Sequence, residues 1–175
     1  MKYLIVSSSL SANSRSRILA HLALKQMQEA GHEVQLLDLR DLPLPLCDGG
    51  ASYAHPNVAA VGEIIAGAQG VLIATPVYNY STNAALKNMV ELTGKNAWTN
   101  KVIGFLAAAG GPSSYMAVLG IANSLLLDFR CTVVPRFVYA TKAAFEDQAL
   151  HDEDVAERIQ QLSHEVVRYT EALVQ

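Results

Sequence analysis

The densest chemistry in the chain lies between Ser7 and Arg17, where six serines, an asparagine and two arginines occupy eleven positions. This run leads into a segment of helical periodicity. A helix N-terminus offers unpaired backbone N–H groups and the positive end of a dipole, and together these bind an anion. The hydroxyls of Ser9, Ser14 and Ser16 add donors, Ser11 and Asn13 share the same turn, and Arg15 adds a charge-assisted donor. Arg17, a turn further on, reads as a surface charge. Any one of these serines alone would be an ordinary cap. Their clustering points to a phosphate. A monoester suits the turn better than a triphosphate, because no lysine–hydroxyl pair follows a glycine-rich loop, and no G-x-G-x-x-G marks a classical dinucleotide site.

Two further segments have the composition of ligand-facing turns. In Thr75-Pro-Val-Tyr-Asn-Tyr-Ser81, Pro76 lacks an N–H and is expected to break the preceding strand. Val77 and the residues after it would then offer N–H groups to a planar heterocycle, with flat apolar surface from Tyr78 and Tyr80. Asn79 and Ser81 would donate to carbonyl oxygens, or Ser81 would cap the next helix; an ordinary strand-to-helix turn has the same look. In Ala107-Ala-Ala-Gly-Gly111, small residues at Ala109, Gly110 and Gly111 let a ligand lie against backbone. A lone Gly-Gly pair before Pro112 would be only a turn.

Placing three such segments together needs a particular framework. With 175 residues, 51% hydrophobic and 17% charged, the chain is expected to form one domain over residues 1–175. Short apolar runs alternate with helical periods. Strands are expected at Tyr3–Ser7, Glu33–Leu39, Gly70–Ala74, Lys101–Ala108 and Thr132–Tyr139. Helices are expected at Ser14–Ala30, Val58–Ala68, Asn83–Gly94, Ser113–Phe129 and Asp152–Val174. Continuously apolar strands are covered on both faces. The alternation therefore predicts an α/β, flavodoxin-like three-layer sandwich with a five-stranded parallel sheet in the order 2-1-3-4-5. Such sheets bind ligands beyond the carboxyl ends of the strands, where all three segments fall.

Taken together, the segments resemble the NADPH-dependent FMN reductase family of the flavodoxin-like superfamily. The resemblance rests on Ser8-Ser-Leu-Ser-Ala-Asn-Ser-Arg-Ser16, on Thr75-Pro-Val-Tyr-Asn-Tyr-Ser81 with Ala85-Leu-Lys-Asn88, and on Ala109-Gly-Gly111. It covers nearly the whole chain in element order, and the middle motif is its most specific part. Ser8 replaces the family's usual loop glycine, and Ser11 stands near its usual arginine. The resemblance implies FMN phosphate at Ser9, Ser14, Arg15 and Ser16, and the isoalloxazine beside Pro76, Val77, Tyr78, Asn79 and Ser81. It implies Gly110 and Gly111 against the other side of the flavin. It also implies NAD(P)H as hydride donor, with free flavin, a quinone, an azo dye, a metal oxyanion or a partner monooxygenase as acceptor. The flavin carries the chemistry in such enzymes, so no acid–base side chain and no metal is required.

The remaining features are read more plainly. The net charge of -3 does not favour nucleic acid, and no apolar stretch is long enough for a membrane. Cys131 reads as a core residue and Cys47 as a loop residue, which suits a reducing, cytoplasmic setting. Of the five histidines only His55, on the long segment Arg40–Pro56, is placed to reach a site. Segments of that length are functional or mobile, and the resemblance implies that this one borders the active site and helps form a homodimer or homotetramer. The alternative to an enzyme is a flavodoxin-type electron carrier without turnover. Such carriers are more acidic and use a threonine-rich phosphate turn.

Overall fold

The computed structural model describes residues 1–173. Its central sheet follows from strands whose apolar residues point to both faces. Within β1 (Lys2–Ser7), Leu4 and Val6 enter one core while Tyr3 and Ile5 enter the other. In β3 (Gly70–Tyr78), Val71 and Ile73 take the first core and Leu72 and Ala74 the second. The same split recurs in β5 (Val102–Ala109), between Ile103 and Phe105 on one face and Val102 and Leu106 on the other. Helices α2 (Pro56–Ala66), α3 (Ala84–Trp98) and α4 (Leu119–Phe129) cover the first face, while α1 (Arg15–Glu29) and α5 (Glu153–Leu173) cover the second. At Gly104 a Cβ would come within 2.8 Å of both Leu72 and Val166, so the glycine is what lets α5 lie close on the sheet.

With β2 (Glu33–Asp38) outermost, the order is β2-β1-β3-β5, all parallel. The fifth position holds β6 (Thr132–Val133) and β7 (Val138–Thr141), which are two pieces of one expected strand. Pro135 lies between them and cannot donate to the ladder. The five-stranded order 2-1-3-4-5 is therefore present, with its last strand interrupted. Short pairs complete the inventory: β4 (Ser81–Thr82) turns back on β3, and β8 (Phe145–Glu146) pairs with β9 (Ala149–Leu150).

Several expectations are corrected. Pro76 does not break the third strand, which runs on to Tyr78 with Pro76 opposite Ala108. The Ser8 N–H donates to Ala74 O, so backbone groups at Ala74 face β1, and those at Pro76 face the same way. The acceptor that an N–H at position 76 would meet, Ser8 O, takes Asn83 Nδ2 at 2.7 Å instead, so the missing donor leaves no carbonyl unpaired. The fourth helix begins at Leu119 rather than Ser113. Pro112–Ser114 instead form a 3-10 turn, and Tyr115 is held by ring contacts to Phe137 (4.7 Å) and Tyr139 (5.5 Å). The third helix continues past Gly94, but the helical backbone breaks there at φ 59°. The closing helix was expected to reach Val174, which lies outside the described residues. Among those described, no helix is long and apolar enough to cross a membrane.

Candidate active site

The turn after β1 is shaped by one side chain, Arg17. Its Nε donates to Asp38 Oδ2 at 2.5 Å and its Nη2 to Asp38 Oδ1 at 3.2 Å. The remaining donors reach Ser9 O (3.0 Å), Ser11 O (2.9 Å) and Ala12 O (3.3 Å). All five guanidinium donors are thus used within the protein. Peptide planarity then fixes the turn: carbonyls drawn to Arg17 send the following N–H groups, of Leu10, Ala12 and Asn13, the other way. The result is a turn whose N–H donors face away from the guanidinium, hereafter the nest. Arg17 is consequently no surface charge; its side chain is 13% exposed and braces the turn. Burial pushes the Asp38 carboxyl up, but the bonds from Arg17 and the Arg40 N–H outweigh it and hold the group below its ordinary range.

The helix start completes the nest. Ser14 caps α1 by accepting from the Arg17 N–H at 3.2 Å, and its hydroxyl lies 3.0 Å from that of Ser16. Among the described residues, the N–H groups of Arg15 and Ser16 have no partner. Ser9 Oγ accepts from the Ser11 N–H at 3.3 Å. Arg15 is exposed and forms no ion pair among the described residues. Ser7 Oγ, at the base of the turn, is buried without a partner.

A buried knot ties this turn to the one after β3. Asn83 Oδ1 accepts from the hydroxyls of Ser8 (2.8 Å) and Thr75 (3.1 Å), while its Nδ2 donates to Ser8 O at 2.7 Å. Sequence patterning marked Asn83 only as a helix start; its partners lie 75 and 8 positions away, and no local period reports such a contact. The knot also explains Ser8, since a glycine there would leave Asn83 without one of its donors.

Beyond Pro76, β3 and β4 form a hairpin whose turn residues, Asn79 (φ 49°) and Tyr80 (φ 61°), both take the left-handed backbone. A two-residue turn of this kind matches the twist of the strands, and asparagine suits its first position. Tyr78 and Tyr80 stand 54% and 70% exposed. Opposite them, nothing lies within 4 Å of a Cβ built on Gly110 or Gly111. Tyr139 Oη donates to Gly111 O at 2.5 Å and fixes that loop.

A cavity of about 320 Å³ joins the three turns. Of the residues the sequence singled out, Ser9, Ser11, Asn13, Ser14, Arg15 and Ser16 line it from the first turn. Pro76, Val77 and Tyr78 line it from the second, and Ala109 and Gly110 from the third. Ala108, not foreseen, joins them. Asn79, Ser81 and Gly111 stand outside its wall. Ser81 does not cap α3 either, for Asn83 occupies that position.

His55 does not face the cavity; its Nδ1 accepts from the Asn57 N–H and caps α2. The long segment that carries it is anchored. Asn88, from the Ala85–Asn88 run, accepts from the Cys47 N–H and donates to Pro45 O, each at 2.8 Å. Asp48 accepts from Ser52 Oγ (2.6 Å), Gly50 N–H (2.8 Å) and Ser52 N–H (3.1 Å), which together draw its carboxyl down to about 2. Burial pushes the Cys131 thiol up to about 11, as suits a core residue.

An anion nest at the switch point of an open parallel sheet, with a flat slot beside it, defines a flavodoxin-like α/β protein. Over 98% of both chains the fold superposes, at TM-score 0.79 and 21% identity, on FerB, a flavoenzyme NAD(P)H:(acceptor) oxidoreductase from Paracoccus denitrificans. The chain belongs to the NADPH-dependent FMN reductase family, whose model matches residues 1–146, and it is an NAD(P)H-dependent flavin reductase. It is 34% identical to an NAD(P)H-dependent FAD/FMN reductase of Geobacillus thermodenitrificans, over 95% of this chain and 92% of that one. It is also 25% identical to an NADPH azoreductase of a Bacillus species, over 98% of this chain and 92% of the other.

Proposed function

We propose that the cavity holds FMN as a resident group, with its phosphate in the nest and its ring in the slot. The observation that carries this reading is the unpartnered N–H groups of Arg15 and Ser16, with the unpaired Arg15 side chain, in the same cavity as the slot between Pro76–Tyr78 and Ala109–Gly110. The donor set fits a phosphate monoester. The N–H groups of Arg15 and Ser16 and the hydroxyls of Ser14 and Ser16 face it, and Arg15 supplies the balancing charge. The slot fits a planar ring, since Gly110 carries no side chain to fill it.

Bound there, FMN would accept a hydride from a reduced nicotinamide and hand its electrons to an acceptor. The chain's own part is placement. Arg17 holds the nest open before any ligand arrives, so little reorganisation opposes binding. The Ser8–Thr75–Asn83 knot fixes the distance between nest and slot. Tyr78 and Tyr80 leave the ring end open, with aromatic surface against which a nicotinamide or a flat acceptor stacks. Free flavin, quinones and azo compounds share that flatness and form the acceptor class we assign; a partner monooxygenase receiving reduced flavin is compatible with the same opening. The exposed Leu46 and Tyr53, on the anchored segment beside α3, support association into a homodimer or homotetramer. Deleting Leu46–Ala51 tests that assignment: sedimentation should shift toward monomer, and an unchanged assembly would refute it.

The function itself is tested by following NADPH oxidation with FMN and a quinone present. Turnover by the native chain, reduced strongly in Ser14→Ala together with Arg15→Ala, is expected. A flavin that bleaches with NADPH but never turns over would instead mark an electron carrier.

A further inference from the structure

Away from the cavity of the three turns, the break in the edge strand opens another groove. Between β6 and β7 the chain leaves the ladder at Pro135, and α5 passes beside the gap. The groove holds about 660 Å³ and shares no lining residue with the first cavity. Arg158, Gln161, Leu162 and Glu165 line it from α5, at the spacing of one helix face. Val134 and Leu162, both buried, give it an apolar floor. Tyr115 and Phe137 give it an aromatic wall, with ring centres 4.7 Å apart and planes 31° from parallel.

The charge of this groove is one-sided. Arg136 and Arg158 are exposed, and neither forms an ion pair among the described residues. Glu165, the carboxylate on the lining, is already held by Arg168 through bonds of 3.0 and 2.6 Å. Its neighbour His164 stands at the rim, 3.9 Å from the same carboxylate. Two guanidinium groups are therefore left for a ligand, and a carboxylate is the partner their planar forks match. The aromatic wall beside them takes the face of a flat ring.

We propose that this groove is a second ligand site, for a flat aromatic acid, and that its occupant acts on the flavin slot. The carboxylate meets Arg136 and Arg158, and the ring lies against Tyr115 and Phe137. Tyr115 also packs on Tyr139 at 5.5 Å, and the Tyr139 hydroxyl holds Gly111 O. An occupant pressing on Tyr115 thus bears on the loop that borders the slot, and the two sites are linked. Binding in the groove does not depend on FMN; the effect on turnover rests on the ring lying beside Ala109–Gly110.

Calorimetric titration of the full chain with 2-naphthoate, with FMN saturating, reads the site. Binding is expected, and it should be at least about tenfold weaker for the neutral naphthalene-2-carboxamide and for acetate, which lacks the ring. Arg136→Glu with Arg158→Glu should raise the naphthoate dissociation constant about tenfold or more, while FMN affinity and turnover without naphthoate stay within about twofold. Saturating naphthoate should change the rate of NADPH oxidation with a quinone by about twofold or more in the native chain, and not in that double variant. No binding, acetate held as tightly, an unaltered constant in the double variant, or a native rate that naphthoate leaves unchanged would overturn the proposal. So would inhibition that persists in the double variant, which would put naphthoate in the flavin slot. Adenosine 2′,5′-bisphosphate bound more tightly than naphthoate, with the same need for both arginines, would give the groove to the hydride donor and also overturn it. A chain that failed to bind FMN would defeat the proposed function, yet the naphthoate titration of that flavin-free chain would still decide this site.

Discussion

At the serine-rich end of the cleft the backbone is tied down, whereas at the ring end it stands open. Ser9, Ser11 and Ala12 all give their carbonyls to one guanidinium that is itself paired with Asp38. Across the cleft, Tyr78 and Tyr80 are largely exposed, and space surrounds Gly110 and Gly111. The difference teaches how the two jobs of a flavin site divide. An anion loses much hydration energy on binding, and only donors already in position offset that loss. A ring that must meet one partner after another needs an uncovered face instead. On the proposed placement of FMN, rigidity belongs to the phosphate end and access to the ring end.

Removing the brace should have the largest effect. Arg17→Met strands a mostly buried Asp38 and frees three carbonyls, so we expect a loss of about 3 kcal/mol in chemical denaturation and FMN affinity weakened by more than about tenfold. The same pair sets an acid limb. Because the Asp38 carboxyl is held below its ordinary value of about 4, its contribution is complete above that value and disappears as pH falls through the lowered one. Arg17→Met should therefore flatten the fall in stability below about pH 4. Asn83→Ala cuts the knot between the two ends and leaves buried hydroxyls at Ser8 and Thr75 with fewer partners. A cost of about 2 kcal/mol is expected from thermal or urea unfolding.

The ring end should answer differently. At Gly110 a Cβ finds nothing within 4 Å, so the stability of Gly110→Val should hold within about 0.5 kcal/mol, while FMN affinity falls about tenfold as the valine enters the slot. Smallest of all, Tyr80→Ser should leave stability and FMN affinity nearly unchanged and alter only the KM for a flat acceptor in steady-state kinetics. A Tyr80→Ser protein that unfolds easily, or an Arg17→Met protein that does not, would erase the contrast between the two ends.

Local patterning made the layers legible, because the central strands carry apolar residues on both faces and so must be covered twice. It also made the nest legible, because serines crowd the start of α1. Arg17 was misread, since its worth depends on Asp38, which lies 21 positions on at the end of β2. Pro76 was misread because a proline's cost depends on whether the carbonyl it leaves without a donor finds another, and here Asn83 Nδ2 supplies one to Ser8 O. Asn88 stood in a recognised run without a task; the structure shows it clasping Pro45 and Cys47. His55 had a plausible position but spends its nitrogen on a helix cap. In each case the deciding partner is distant in sequence, and composition and period carry no record of it.

The division of labour across the cleft is tested most directly by comparing FMN with riboflavin, which keeps the ring and lacks the phosphate. The native chain should bind FMN at least about 100-fold more tightly, as several charge-assisted hydrogen bonds imply, and Ser14→Ala with Arg15→Ala should shrink that ratio toward one. Equal affinity for the two ligands in the native chain would show that the nest holds no phosphate, and the account would fail there.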